Sequence, residues 1–218
     1  MALVEQFEKP GVRGFVHRPA GETGDGLVLT HGAGGDCRAP VLVAAAAAFC
    51  AAGFVVARVD LPFRQTRPKG PPSPSSAAAD RAGLAAAVGA MRGIVPGRVF
   101  LGGHSYGGRQ ATILAADAPD TAAALLLTSY PLHPPGKPER PRTGHFPRLQ
   151  APAVFVQGSA DPFGSPVELG AALALIPAPT RLIAIDGARH DLKQGRFDFA
   201  EVVAALVAIA GRGDPRPS

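Results

Sequence analysis

The sequence predicts an α/β fold: a mainly parallel central sheet of about seven strands, flanked by helices, with no separate lid domain. Three observations predict it. Short apolar runs alternate with longer alanine-rich runs along the chain, the order of strand–helix–strand units. The run GLVLTHG (26–32) ends in glycines and has no polar alternation, as buried parallel strands do. A length of 218 residues suits one sizeable core. One domain is therefore expected over residues 1–211, followed by a disordered tail over 212–218.

The elements follow in order. FEKPGVRGFVHRP supplies one or two antiparallel edge strands. GLVLTHG is a strand. The segment from Pro40 to Ala52 is a helix, with Pro40 in its first turn and Gly53 ending it. FVVARVDLP (54–62) is a strand. RQTRPKGPPSPSS (64–76) is a proline-rich loop inside the domain, and Ser75 or Ser76 can cap the helix AAADRAGLAAAVGAMRG. GRVFLGG (97–103) is a strand, YGGRQATILAADAP (106–119) a helix and AALLLTSYP (123–131) a strand. An irregular stretch covers 132–150. APAVFVQGSAD (151–161) is a strand, SPVELGAALALIP (165–177) a helix and TRLIAIDG (180–187) a strand. A last helix spans 196–210. In such sheets, ligands bind beyond the carboxyl ends of the strands.

Composition excludes several classes. No apolar run reaches the roughly 20 residues that span a bilayer, and PVLVAAAAAFCAAGFVVARVD divides at Gly53 into helix and strand. The start, MALVEQFEKPG, lacks signal architecture, so a cytoplasmic location is expected. Two cysteines, Cys37 and Cys50, are too few for a disulfide scaffold. Without C-x-x-C or H-E-x-x-H, no metal is expected. The net charge of +5 comes from scattered basic residues without a recognition motif, so no nucleic-acid partner is expected.

Chemistry concentrates at Gly103-His104-Ser105-Tyr106-Gly107, a G-x-S-x-G pattern. In a chain with 27 glycines the pattern alone is weak. Its context is stronger: RVFLGG precedes and GGRQATILAA follows, the strand–turn–helix of a nucleophile elbow. Gly103 and Gly107 stand where Cβ atoms would collide at the crossing. A serine hydroxyl also needs a base and an orienting acid, in the order Ser, Asp or Glu, His. Asp161 and His190 each follow a later strand and fit that order, with Asp161 fixing the imidazole tautomer and His190 Nε2 accepting the serine proton. The oxyanion donors would be the N–H of Tyr106 and that of Ala33 or Gly34 in the loop THGAGGD (30–36). Asp186 and Asp191 compete for the acid's role, although Asp186 can instead bond the turn. His133 and His145 compete for the base's role. His31 and His104 read as structural, with His104 pointing away from the substrate.

These residues resemble the α/β-hydrolase superfamily over nearly the whole chain. More narrowly they resemble the small dienelactone-hydrolase-like branch that includes testis-expressed protein thirty and the hydrolase-like domain of NSL complex subunit three. The resembling segments are THGAGGD, VDLPFR, GGHSYGGRQA, SYPLHPPGKPERPR with HFPRL, APAVFVQGSADPFG and IDGARHDL. The resemblance implies the α/β-hydrolase fold and Ser105, Asp161 and His190 as a catalytic triad. It departs at His104 and Tyr106, where Arg and Met are common in that branch.

The reaction expected is cleavage of a small ester or thioester through an acyl-enzyme. The partner is a small-molecule substrate, with no cofactor, no nucleic acid and no membrane, and the chain is a monomer or homodimer. Lys137, Arg140, Arg142 and Arg148 in the irregular stretch would meet an anionic acyl group, or are simply solvated, as charged loop residues usually are. One alternative is a catalytically idle interaction domain on the same fold. Another is dinucleotide binding, because HGAGG follows a strand and Asp60 ends the next. Against it, Cys37 stands where the third glycine of G-x-G-x-x-G belongs, and the helix starts only near Pro40.

Overall fold

The computed structural model describes residues 3–193 and 197–211. One sheet of eight strands runs in the order β1-β2-β4-β3-β5-β6-β7-β8. The strands are β1 (Leu3–Lys9), β2 (Val12–Arg18), β3 (Gly26–Thr30), β4 (Val55–Val59), β5 (Val99–His104), β6 (Leu125–Thr128), β7 (Ala153–Gly158) and β8 (Thr180–Ile185). From β4 across to β8 every pair is parallel, and β2 joins β4 antiparallel with β1 outside it. The expected count of about seven becomes eight because the N-terminal segment closes a full hairpin from Leu3 to Arg18.

Strand side chains alternate between two helical layers. Val28, Leu101, Leu125, Leu127 and Phe155 pack on one side with Leu84, Val88 and Met91 of α3 (Ala77–Arg92), Ala111 and Ala115 of α4 (Tyr106–Asp117), and Leu169 of α5 (Pro166–Leu173). Leu27, Leu29, Phe100, Leu126 and Val154 face the other layer, made by Leu42 and Phe49 of α1 (Pro40–Ala51) and Val202 and Leu206 of α6 (Phe199–Ala210). The period of two in each strand explains why the runs read as continuously apolar: both faces are covered.

Two local expectations change. The strand read over 54–62 stops at Val59, and a short helix α2 (Pro62–Thr66) begins with proline in its first turn. Ser76 stands at the start of α3, but it gives no cap to the backbone. A 3-10 turn (Pro74–Ser76) leads straight into the helix, so Ser76 keeps helical angles, and Oγ donates to the Ser73 carbonyl (2.8 Å) and the Asp80 carboxylate (3.3 Å). The 212–218 tail and the first residue of the helix expected over 196–210 lie outside the described residues. Among the described residues no helix is long and apolar enough to cross a membrane.

Candidate active site

β5 delivers a serine to the carboxyl end of the sheet. Ser105 has φ 51° and ψ −119°, a strained conformation for a residue with a Cβ. Its amide donates to the Thr128 carbonyl (2.9 Å), and its carbonyl accepts from Arg109 N–H (3.0 Å), starting α4. The flanking glycines are required by space. A Cβ on Gly107 would lie 2.4 Å from the His31 carbonyl oxygen, and one on Gly103 would lie 2.7 Å from Gly108 N. The turn lifts the Ser105 hydroxyl above the sheet and puts the Tyr106 N–H among the opening amides of α4 that lack an intrahelical acceptor.

The loops after β7 and β8 meet this serine. His190 Nε2 lies 2.8 Å from Ser105 Oγ, and His190 Nδ1 lies 2.8 Å from Asp161 Oδ2. The Asp161 carboxylate is buried and also accepts from Phe163 N–H (2.9 Å) and the Gln157 side-chain amide (3.1 Å). Because Asp161 accepts from His190 Nδ1–H, Nε2 is free to accept from the serine hydroxyl.

The competing residues are engaged elsewhere. Asp186 accepts from Ser159 Oγ (3.1 Å), and Asp191 pairs with Lys193 (3.3 Å). His145 bonds Thr112 (2.8 Å), and His133 donates to the Pro134 carbonyl (2.9 Å). Asp60, the acid of the dinucleotide alternative, accepts from Cys37 N–H (2.8 Å) and Arg13 (3.0 Å), and α1 begins at Pro40. Burial, reinforced by Asp60, pushes the Cys37 thiol up to about 12, which keeps it protonated.

The loop after β3 faces the elbow from the other side. Its carbonyls are held from behind. His31 Nδ1 donates to the Gly32 carbonyl (2.8 Å), while Arg64 of α2 donates to the carbonyls of Ala33 (3.0 Å) and Gly35 (2.8 Å). In a planar trans peptide the N–H opposes the C=O. The amides of Ala33 and Gly34 are thus turned away from His31 and Arg64, and both residues line the cleft that contains Ser105. His31 Nε2 accepts from Leu61 N–H (3.1 Å), so the ring must be the neutral Nδ1–H tautomer. Burial accordingly holds its pKa down.

Gln157, Phe163, Arg64 and Arg109 escaped the reading of the sequence. The Phe163 ring lies 4.3 Å from that of His190, centroid to centroid. A polar Gln157 inside the apolar run AVFVQG, one residue before its closing glycine, was the available signal, as was an arginine just after VDLPF.

Residues 24–208 match the family described as alpha/beta hydrolase domain. The chain belongs to the α/β-hydrolase family. This hydrolase domain is similar in fold to a dienelactone hydrolase from Anabaena variabilis ATCC 29413, with 20% identity, a TM-score of 0.69, and coverage of 97% of this chain and 94% of that one. It is also similar to an alpha-beta serine hydrolase homologue from Coxiella burnetii, with 19% identity, a TM-score of 0.72, and coverage of 94% and 96%. A third similar structure is a serine hydrolase without a lid from Xanthomonas campestris, with 19% identity, a TM-score of 0.69, and coverage of 100% and 97%. In this α/β hydrolase, too, no separate lid covers the cleft among the described residues.

The hydrolase cleft has two lobes that share Ala33, Ser105 and Phe163. One, of about 550 Å³, contains Gly32, Gly34, Val41, His104 and His190. The other, of about 490 Å³, contains Tyr106, Arg109, Pro131 and Arg142. His104 thus departs from expectation. It does not point away but lines the first lobe, its ring 5.3 Å from that of His190 and its Nδ1 3.3 Å from Thr128 Oγ1. β5 runs on to His104, so this last side chain emerges at the sheet's end, where the His190 loop crosses. Burial, then the charge of His190, pushes His104 down to about 4, so it is neutral near pH 7.

Proposed function

We propose that this α/β hydrolase is a serine hydrolase that cleaves a small ester or thioester through an acyl-enzyme. The observation that carries the reading is the unbroken hydrogen-bond chain from Ser105 Oγ through His190 to Asp161, 2.8 Å at each link. Ser105 Oγ attacks the carbonyl carbon while its proton passes to His190 Nε2. The tetrahedral oxyanion is held by the N–H of Tyr106 together with that of Ala33 or Gly34. Collapse breaks the bond to the leaving alcohol or thiol, which takes the proton from His190. Water then gives a proton to His190, attacks the acyl-enzyme, and frees the acid as the proton returns to Ser105. Asp161 holds the tautomer and stabilises the imidazolium.

The dienelactone-hydrolase neighbour supports placing the chain among the small dienelactone-hydrolase-like enzymes, and the likeness to the testis-expressed and NSL-subunit branch is part of the same proposal. The domain proposed is residues 1–211. A fluorophosphonate probe should label wild type on Ser105, and p-nitrophenyl acetate cleavage should be abolished in Ser105→Ala. Folded protein that resists the probe and leaves the ester intact would instead favour an idle interaction domain.

A further inference from the structure

The second lobe of the cleft carries an unbalanced charge. Arg109 lies one helical turn beyond Ser105, its amide bonded to the Ser105 carbonyl (3.0 Å). Its guanidinium Nε is buried and has no hydrogen-bond partner among the described residues. Arg142 reaches the same lobe from the irregular stretch; its backbone is fixed by Leu132 and Tyr130, but among the described residues its guanidinium makes only a long bond, from Nη1 to the Pro131 carbonyl (3.4 Å). Neither guanidinium pairs with a carboxylate among the described residues, whereas Arg13, Arg18, Arg98 and Arg148 do. Asp80, on the adjoining helix, is occupied by Tyr106 Oη (2.8 Å), Ser76 Oγ and Phe63 N–H. Burial and the neighbouring charge of Arg109 push the Arg142 pKa down, the response of a cation short of counter-charge.

The chemistry divides the two lobes. The leaving group must take its proton from His190, which lines only the first lobe. The acyl group is then left with the second, between Tyr106 and the proline-walled side at Pro71, Pro74 and Pro131. We propose that Arg109 and Arg142 form an anion subsite for a carboxylate at the far end of the acyl group, making the substrate class half-esters or half-thioesters of short dicarboxylic acids. Two planar forks with unused donors match a carboxylate better than a neutral chain would. This inference rests on the serine-hydrolase reading. Of the four cations expected to meet an anion or stand solvated, only Arg142 lines the lobe. Lys137 and Arg140 are exposed, and Arg148 pairs with Asp117 (3.0 Å).

The test compares p-nitrophenyl hemiglutarate with its methyl-capped neutral counterpart. In wild type the anionic ester should have the higher kcat/KM, by about tenfold or more, as expected for charge-assisted hydrogen bonds. That ratio should collapse toward unity in Arg109→Gln and in Arg142→Gln, mainly through KM, and persist in Arg140→Gln. Free glutarate should slow fluorophosphonate labelling of wild type but not of Arg142→Gln. If Arg109→Gln fails to fold, Arg142→Gln carries the comparison. A wild-type ratio near one, or a ratio unmoved by both substitutions, overturns the anion subsite and leaves the hydrolase reading intact. Loss of all turnover and labelling in wild type overturns both.

Discussion

The side-chain amide of Gln157 lies 3.1 Å from Asp161 Oδ2, and both residues are buried. The same amide nitrogen donates to the Gly164 carbonyl (2.8 Å). Gln157 therefore clamps the loop that carries Asp161 and holds the carboxylate against His190. On the proposed mechanism it is a positioning residue, not a catalytic one. Gln157→Leu removes a hydrogen bond to a charged group, worth about 1.5–3 kcal/mol. The expected outcome is a fall in kcat of about tenfold or more with KM little changed, together with a lower melting temperature. Steady-state kinetics with p-nitrophenyl acetate check it, and a kcat equal to wild type would remove Gln157 from the machinery.

His31 places the candidate oxyanion loop by using both ring nitrogens at once, Nδ1 toward Gly32 and Nε2 toward Leu61. Replacing it by Phe keeps a ring in the core but leaves the buried Leu61 N–H unpaired, at a cost of about 1–3 kcal/mol, and leaves the Gly32 carbonyl with only the Gly35 N–H (3.2 Å). Stability should drop by that order in urea unfolding. kcat should fall as well, because the Ala33 amide loses the backing that His31 gives through the Gly32 carbonyl. Unfolding unchanged from wild type would contradict the bond network.

Gly107→Ala should destabilise the fold outright. Its Cβ would press on the His31 carbonyl at 2.4 Å and on Thr30 Cγ2 at 2.6 Å, neither of which is a free side-chain end. The cost is at least the ~1–3 kcal/mol of an overpacked core. A control at Gly89, in α3 with nothing within 4 Å of an added Cβ, should be neutral or slightly stabilised by the gain in helix propensity. Paired thermal melts of the two variants are the measurement.

Acid should unfold this protein early. Burial, then Arg58, pushes His17 down to about 4, and burial, then Arg109, does the same to His145. His104 sits at about 4 as well. In the unfolded chain these rings take up protons near pH 6.5, roughly the free histidine value. Between pH 6.5 and 4 the unfolded state therefore binds more protons, so stability rises with pH in that window and is lost as pH falls through it. The structure gives His17 a reason to stay neutral, since its Nε2 accepts from Arg58 Nε (2.8 Å). Melting temperature should be level above pH 7 and decline steadily from pH 6.5 to 4.5. His145→Gln should flatten the slope, and a level curve through that range would contradict the buried neutral histidines.

Much of the site's layout was legible before any coordinates because it is written in short-range grammar. Strand, glycine, serine, glycine and helix occupy consecutive positions around Ser105, so local sterics alone identify the elbow. Asp161 and His190 each follow the end of an apolar run, and a parallel sheet delivers all such ends to one edge. Chain order and strand ends thus determined the triad candidates.

Which side chains point into the cleft was decided only by tertiary packing. That His104 lines the cleft is not visible locally, because the loop that meets it at the end of β5 carries His190, over 80 residues later in the chain. Arg109 and Arg142 are 33 residues apart and read separately as a helix residue and a loop residue. Their meaning lies in sharing one lobe without a counter-charge, and charge balance inside a cavity is a property of the assembled surface. Local patterns determine elements and the order in which they reach the site. Long-range packing determines which polar groups are left without partners there, because desolvation acts only once the chain has closed around them.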